Sequence, residues 1–299
     1  MPATPTTPAT PTTPTALLLC NDPLRTASCD PHFAPQARAA RRAGAAVALL
    51  DHDALLAGRA EEAVRRVPRG IGPVWYRGWM IPAARYADLE SALDRRGAHL
   101  CSTGAMYRTA HELPGWYGTF ADLTPLSGYA PCAPDEPPGA AELAALAATL
   151  PAGPGVVKDF VKSRKHDWNQ ACYIPDLTDT AAVHRVVSRF VELQGADLAG
   201  GIVLRAFEPF DRTVGEARVW WLDGEHVLTT AHPDTPDLLP DPALDGLRQR
   251  VGALDCRFVT TDLARRTDGT WRVIELGDAQ VSDLPAGTDP ARLITRLLG

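Results

Sequence analysis

The sequence predicts a small α/β domain followed by a larger α+β region, and three observations point there. Short apolar runs alternate with helix-like segments between residues 16 and 100, the pattern of an open sheet flanked by helices. Further on, two pairs of apolar runs are each separated by Asp-Gly, at Asp223-Gly224 and Asp268-Gly269, a strong hairpin signal. Between these halves an apolar run carrying two lysines, Val156–Lys162, leads into a basic loop.

The elements follow in order. Residues 1–15 are a Pro/Thr repeat without a core-forming side chain and are predicted to be a disordered tail. Ala16–Cys20, Ala45–Leu50 and Val74–Tyr76 read as strands; Pro35–Gly44, Ala54–Arg66 and Ala83–Gly97 read as helices. Together they make an α/β domain over 16–100. Ligands of such sheets sit beyond the carboxyl ends of the strands, which puts Arg77 at a binding edge. Ala105–Leu113 reads as a helix, Ala130–Gly139 as a Pro-rich linker and Ala140–Leu150 as an Ala/Leu helix. Val156–Lys162 reads as a strand, Ala181–Gln194 as an amphipathic helix and Ile202–Phe207 as a strand. Glu216–Leu222 with His226–Thr230, and Arg257–Ala264 with Trp271–Leu276, form the two hairpins, and residues 290–299 close the chain as a helix. The expected divisions are 16–100, 101–200 and 201–299.

Bulk properties narrow the function. The net charge of −6 disfavours a general nucleic-acid binder. No apolar run approaches the length of a membrane span, and Leu17-Leu18-Leu19 lacks the features of a secretory leader. The six cysteines are scattered without CxxC, the pattern of reduced thiols in a cytoplasmic protein rather than of a zinc site. There is no GxxxxGK(S/T), GxGxxG, GxSxG or HExxH, so hydride transfer, serine hydrolysis and zinc catalysis have no support.

The lysines are more informative. Of 30 basic residues only Lys158, Lys162 and Lys165 are lysine, and they fall within eight positions. Retaining lysine only there suits a site that needs a compact ammonium rather than a planar fork. In a continuous strand Lys158 and Lys162 would share one face and could reach different parts of a polyphosphate. The loop Ser163–Trp168 could close over it. In the second hairpin, a two-residue Asp268-Gly269 loop would set Asp262 directly opposite Glu275. Facing carboxylates repel unless a cation sits between them, and an oxygen-only pair suits magnesium held jointly with phosphates. Glu216, Arg218 and Trp220 would share a face of the first hairpin. The strand Ile202–Phe207, ending before Glu208-Pro209, could offer backbone groups to an adenine edge.

In this order the features resemble the ATP-grasp superfamily: VVKDFVKS, then IVLRAFEPF, then the E-x-R hairpin GEARVWWLDGEHV, then the closing hairpin TTDLARRTDGTWRVIELGDAQ. The resemblance spans residues 100–299. It implies an α+β fold whose two subdomains clasp ATP, preceded by the α/β domain. It further implies that Lys158, Lys162, Lys165, Arg205, Ala206, Phe207, Glu208 and Glu216 contact the nucleotide. Asp262 and Glu275 would hold Mg²⁺, with Mn²⁺ as an alternative, and Asp278 would stand in for the usual Asn, since Gly277 occupies that place. Arg218, Lys162 and Lys165 would act in catalysis, Arg77 and Arg218 would face substrate, and Arg108 would replace an earlier lysine. The reaction implied is activation of a carboxylate as an acyl phosphate, followed by C–N bond formation. The ending VIELGDAQVS is similar to the branch that closes O-ureido-D-serine to D-cycloserine, which implies an internal ligation in antibiotic biosynthesis.

The implied partner is a small amino-acid-like molecule, with no nucleic acid and no membrane; assembly with further copies of the chain is left open. Two alternatives remain: a ligase joining an amino acid to a separate amine, and a nucleotide-binding regulator without catalysis.

Overall fold

The structure, a computed structural model, describes residues 16–299; the Pro/Thr tail lies outside the described residues. The chain divides into two compact units. One runs to Thr103 and takes in Asp289–Gly299; the other is Gly104–Thr288.

The first unit is built on β1 (Ala16–Cys20), α1 (Ala34–Arg42), β2 (Ala46–Leu50), α2 (His52–Leu56), α3 (Ala60–Ala63), β3 (Gly72–Arg77), α4 (Ala83–Asp94) and β4 (Ala98–Leu100). Its strands form one parallel sheet in the order β2-β1-β3-β4. Every residue of β1 is fully buried, as expected of a strand covered on both faces. The expected helix 54–66 is two short helices instead. Asp51 caps the first by accepting from the Ala54 N–H (3.0 Å), and Gly58 at φ +77° ends it in a conformation that favours glycine. The final helix, Ala291–Leu298, packs on α1, so the closing segment belongs to this unit rather than to the 201–299 division.

Arg77 is the last residue of β3, not an exposed residue beyond it. It is 1% exposed, and its Nε donates to Gln36 Oε1 of α1 (3.0 Å). The edge position expected for substrate contact is a buried polar pair within the first unit.

The second unit comprises α5 (Gly104–His111), α6 (Leu113–Phe120), β5 (Ser127–Pro131), α7 (Ala140–Ala147), β6 (Gly155–Asp159), α8 (Trp168–Ala171), β7 (Tyr173–Ile174), α9 (Thr180–Gln194), β8 (Gly201–Ala206), β9 (Glu216–Leu222), β10 (Glu225–Ala231), α10 (Leu247–Gly252), β11 (Phe258–Arg265) and β12 (Trp271–Asp278). Two antiparallel sheets result, ordered β5-β8-β6-β7 and β10-β9-β11-β12. β8 pairs with β5 and β6, so the boundary at residue 200 cuts through the first sheet. Part of the expected linker 130–139 is the end of β5.

Alternation along the strands sorts side chains between two jobs. Val157, Ile202 and Leu204 pack under α7 and α9. Val203, Ala217, Val219, Trp221, Leu263 and Val273 join a second core with Trp116 and Phe120 of α6. The opposite strand faces carry Lys158, Arg205, Glu216, Asp262 and Glu275, which line a common cavity.

Two local geometries differ from expectation. β6 ends at Asp159, where the chain turns: Asp159 N–H bonds Lys162 O (2.9 Å), and Asp159 Oδ1 accepts from the Val161 N–H (2.7 Å). A side chain that captures nearby backbone N–H groups competes with strand continuation. Lys162 therefore lies past a turn and is exposed, not on the strand face of Lys158. The β11–β12 loop also holds one residue more than expected. Arg265 faces Trp271, and a bulge between Asp262 and Leu263 then shifts the register, so that Asp262 does face Glu275. The first hairpin turns at Asp223 (φ 50°) and Gly224 (φ 79°), the left-handed pair of a type I′ turn.

Candidate active site

The cavity lies wholly within the second unit and measures about 620 Å³, the size of a small-molecule site. One wall is built by β6, β8 and the segment Ser163–Trp168; the other by β9, β11, β12 and the segment after β10.

Two buried cations stand in the first wall. Lys158 is 7% exposed; its Nζ donates to Val161 O (3.3 Å) and lies 3.6 Å from Glu275 Oε1. Burial lowers its pKa, and Glu275 partly opposes that. Arg205 is 6% exposed; its Nε donates to Ser127 Oγ (2.9 Å) and its Nη1 to Ile274 O (2.7 Å). Burial pushes this guanidinium down to about 10. Its Nη2 is buried without a hydrogen-bond partner, and an unsatisfied charged donor at a cavity wall calls for an anionic ligand.

In the second wall Arg218 grips Asp262 with two bonds, Nε to Oδ1 and Nη2 to Oδ2, both 2.8 Å, the fork geometry of strong charge-assisted pairs. Burial would raise the Asp262 pKa, but the Arg218 charge and bonds, aided by His232, hold it well below the usual carboxylate range. Arg218 is a floor residue beneath Asp262 rather than a lining residue. His232, which sequence reasoning missed, places Nε2 3.4 Å from Asp262 Oδ2 and accepts the Asp234 N–H at Nδ1 (3.1 Å). That backbone bond assigns the ring proton to Nε2, facing Asp262. The only sequence signal was a histidine after an apolar strand, followed by proline.

Lys165 lines the cavity and pairs with Asp234 at 3.1 Å. Burial would lower its pKa, yet Glu216 and Asp234 raise it. Lys162 is not a lining residue. Glu208 lines the cavity with its carboxylate held by Arg272 at 3.0 Å twice. Asp211 is paired with Arg265 at 2.9 Å. The Ala206 and Phe207 N–H groups, expected to face adenine, are already given to Leu126 O (2.8 Å) and Pro154 O (2.9 Å). The Phe207 ring remains at the cavity and meets Trp168 and Tyr173 edge-on, at 6.2 and 5.8 Å.

Asp278 does not line the cavity. It is 1% exposed, and its Oδ1 accepts from the Gln280 N–H and Nε2. An odd spacing from Glu275 in one strand turns it to the other face. Arg108 pairs instead with Glu112 on the surface (3.4 Å).

A triphosphate fits this donor set: two buried cations, one with an unsatisfied N–H. Among the described residues no three His, Cys, Asp or Glu side chains gather as a preformed metal cage. Facing carboxylates, Asp262 and Glu275, do fit a magnesium ion that keeps water and shares phosphate oxygens, since such an ion needs only one or two protein carboxylates. Among the described residues no helix is long and apolar enough to cross a membrane.

Comparison with known proteins agrees with this geometry. No curated protein sequence matches the chain significantly. Among solved structures, a RimK-domain ATP-grasp protein from Sphaerobacter thermophilus is similar over 95% of this chain and 98% of its own, with 13% identity and a TM-score of 0.61. D-cycloserine synthetase DcsG is similar over 94% and 99%, with 19% identity and a TM-score of 0.57. The macrocyclase MdnC from Microcystis aeruginosa, bound to its precursor peptide, is similar over 95% and 98%, with 12% identity and a TM-score of 0.53. At these identities the likeness is one of fold. Residues 133–297 match the family described as ATP-grasp domain, R(2)K clade family 3, and the chain belongs to that family.

Proposed function

We propose that the chain is an ADP-forming ligase that activates a carboxylate as an acyl phosphate and joins it to nitrogen, with Lys158 and Arg205 receiving the nucleotide phosphates. The observation that carries this reading is the buried, unpartnered Nη2 of Arg205 beside Lys158, across the cavity from Asp262 and Glu275. In the reaction a substrate carboxylate oxygen attacks the terminal phosphorus and ADP departs; nitrogen then attacks the acyl carbon and phosphate departs. Lys158 and Arg205 supply fixed positive charge where the phosphoryl oxygens gather it. Arg218, locked by Asp262, adds a second, rigidly oriented guanidinium below the same space. Magnesium, held by Asp262 and Glu275 when bound, would neutralise phosphate charge. Glu208, fixed by Arg272, offers acceptor oxygens to ribose hydroxyls.

The finer reading is closure within one molecule, a hydroxylamine-type nitrogen attacking the activated carboxylate as in conversion of O-ureido-D-serine to D-cycloserine. The VIELGDAQVS ending and the shared architecture with DcsG support it. The test is ADP release across amino acids and their ureido and aminooxy derivatives, with magnesium present. Release that depends on one acid and disappears in Glu275→Gln is expected. A requirement for an added amine would replace closure with ligation of two molecules. ATP binding without release on any acid would refute the ligase reading in favour of a regulator.

A further inference from the structure

Six carboxylates line the cavity, and five sit against the Lys or Arg described above. Glu216 differs. Among the described residues its carboxylate accepts no hydrogen bond and has no Lys or Arg within ion-pair distance. The nearest basic group is His232 Nδ1, 3.9 Å from Oε2, but that nitrogen already accepts the Asp234 N–H and has no hydrogen to give. The side chain is 29% exposed. Its cross-strand neighbour on β11 is Ala264, whose methyl leaves the space beside it open to the cavity. Glu216 shares the β9 face of Arg218, two residues on. A half-buried carboxylate with spare acceptor capacity, held beside phosphate-binding cations, is suited to a donor rather than to another anion.

We propose that Glu216 takes up the nucleophilic nitrogen of the substrate: its carboxylate accepts an N–H bond from that nitrogen and receives the proton as the C–N bond forms. The inference rests on the ligase reading above. It moves Glu216 from the nucleotide set to the substrate set and limits the nucleophile to a nitrogen carrying hydrogen. In the step, the nitrogen lone pair bonds the acyl carbon, the carbon–oxygen bond to the phosphoryl group breaks, phosphate leaves with that electron pair, and the N–H proton passes to Glu216.

The experiment is Glu216→Gln, which keeps the shape, breaks no existing hydrogen bond and cannot take the proton. Calorimetric titration with a non-hydrolysable ATP analogue and magnesium should give an affinity within twofold of the parent chain; a tenfold loss would assign Glu216 to the nucleotide and overturn the proposal. With the acid that supports ADP release, product formation should fall about 100-fold, in the range of a lost general base. Hydroxamate trapped by added hydroxylamine, which reports the acyl phosphate, should stay within threefold. An equal fall in both, or unchanged product formation, overturns the proposal. If the parent chain releases ADP with no acid, the ligase reading itself falls, and the role of Glu216 with it; if the parent turns over and only the variant's pattern departs, the ligase reading stands alone. Glu216→Asp should recover part of the lost product formation.

Discussion

Replacing Lys158 by Met should separate stability from function. Lys158 is a buried ammonium whose pKa burial has lowered, so its folded environment disfavours the charge. Its partner, Glu275, is 42% exposed at the side chain and can return to water when the ammonium is gone. No buried charge is orphaned, and apolar replacement of a buried ion-pair member under those conditions is neutral to stabilising, by up to ~2 kcal/mol. For a domain of this size each kcal/mol moves the melting temperature by about 2–4 °C. Nucleotide affinity should move the other way. A hydrogen bond to a charged group contributes ~1.5–3 kcal/mol, which at ~1.4 kcal/mol per decade is roughly a 10- to 150-fold loss. The pH dependence has a definite sign. With its folded pKa below the ordinary 10.5, Lys158 lets the folded state bind fewer protons than the unfolded state in the window just below 10.5, so stability rises with pH there; Lys158→Met removes that rise. Thermal melts from pH 7 to 10.5 and calorimetry with a non-hydrolysable ATP analogue read both quantities. A variant that melts several degrees lower while binding nucleotide as before would refute the reasoning: Lys158 would then be structural.

Other outcomes follow from the same contacts. His111, stacked on Tyr107 at 4.9 Å, has its pKa pushed down to about 4 by burial from an ordinary 6.5. Its stabilising contribution is present above 6.5 and is lost as pH falls toward 4, on the order of 3 kcal/mol in total; His111→Phe should flatten the stability–pH curve in that window, measured by urea unfolding. Arg272 ties Glu208 to the Asp122 and Thr124 carbonyls, so Arg272→Ala leaves a half-buried carboxylate and two carbonyls unpaired and should cost about 3 kcal/mol, read by urea unfolding. Asp159→Ala strips acceptors from the Val161 N–H, Gln194 Nε2 (2.8 Å) and Ala199 N–H (3.3 Å), for a loss of ~2–4 kcal/mol. It should also weaken nucleotide binding, because the turn it holds supplies the Val161 carbonyl to Lys158.

What was legible in the sequence was whatever alternation and turn chemistry determine locally. The first hairpin needed two left-handed residues, Asp223-Gly224 provided them, and the shared face of Glu216 and Arg218 followed. The Asp262–Glu275 pairing was reached with the wrong loop length: a three-residue loop and a downstream bulge compensate, and neither shows in composition. The break in β6 was hidden because Phe160, Val161 and Lys162 continue the strand pattern, while the cause is the Asp159 side chain capturing two N–H groups. Arg77 illustrates the opposite limit. An arginine at a strand end looks exposed in sequence, and only the fold reveals that Gln36, 41 residues earlier, meets it in the interior. His232 and Asp234 reach the cavity through a tertiary contact with Asp262 and Lys165, to which no local signal corresponds.

The lysine cluster shows why a compositional signal can be right about a site and wrong about its parts. Three lysines among 30 basic residues mark positions where a point-like ammonium serves, but they serve in three different ways. Lys158 is enclosed, and a guanidinium there would need room and partners for five donors; Arg205 beside it already has an N–H without a partner. Lys165 reaches across the cavity mouth on a flexible stem to Asp234, a pairing that an incoming phosphate can exchange for its own. Lys162, displaced by the Asp159 turn, has no cavity contact and keeps only a long-range electrostatic influence, as on His111. Lys162→Arg should therefore leave nucleotide affinity within twofold, while Lys158→Arg should reduce it at least tenfold, by titration with the same analogue. Equal effects at the two positions would mean that charge near the cavity matters and that the fit of the ammonium does not.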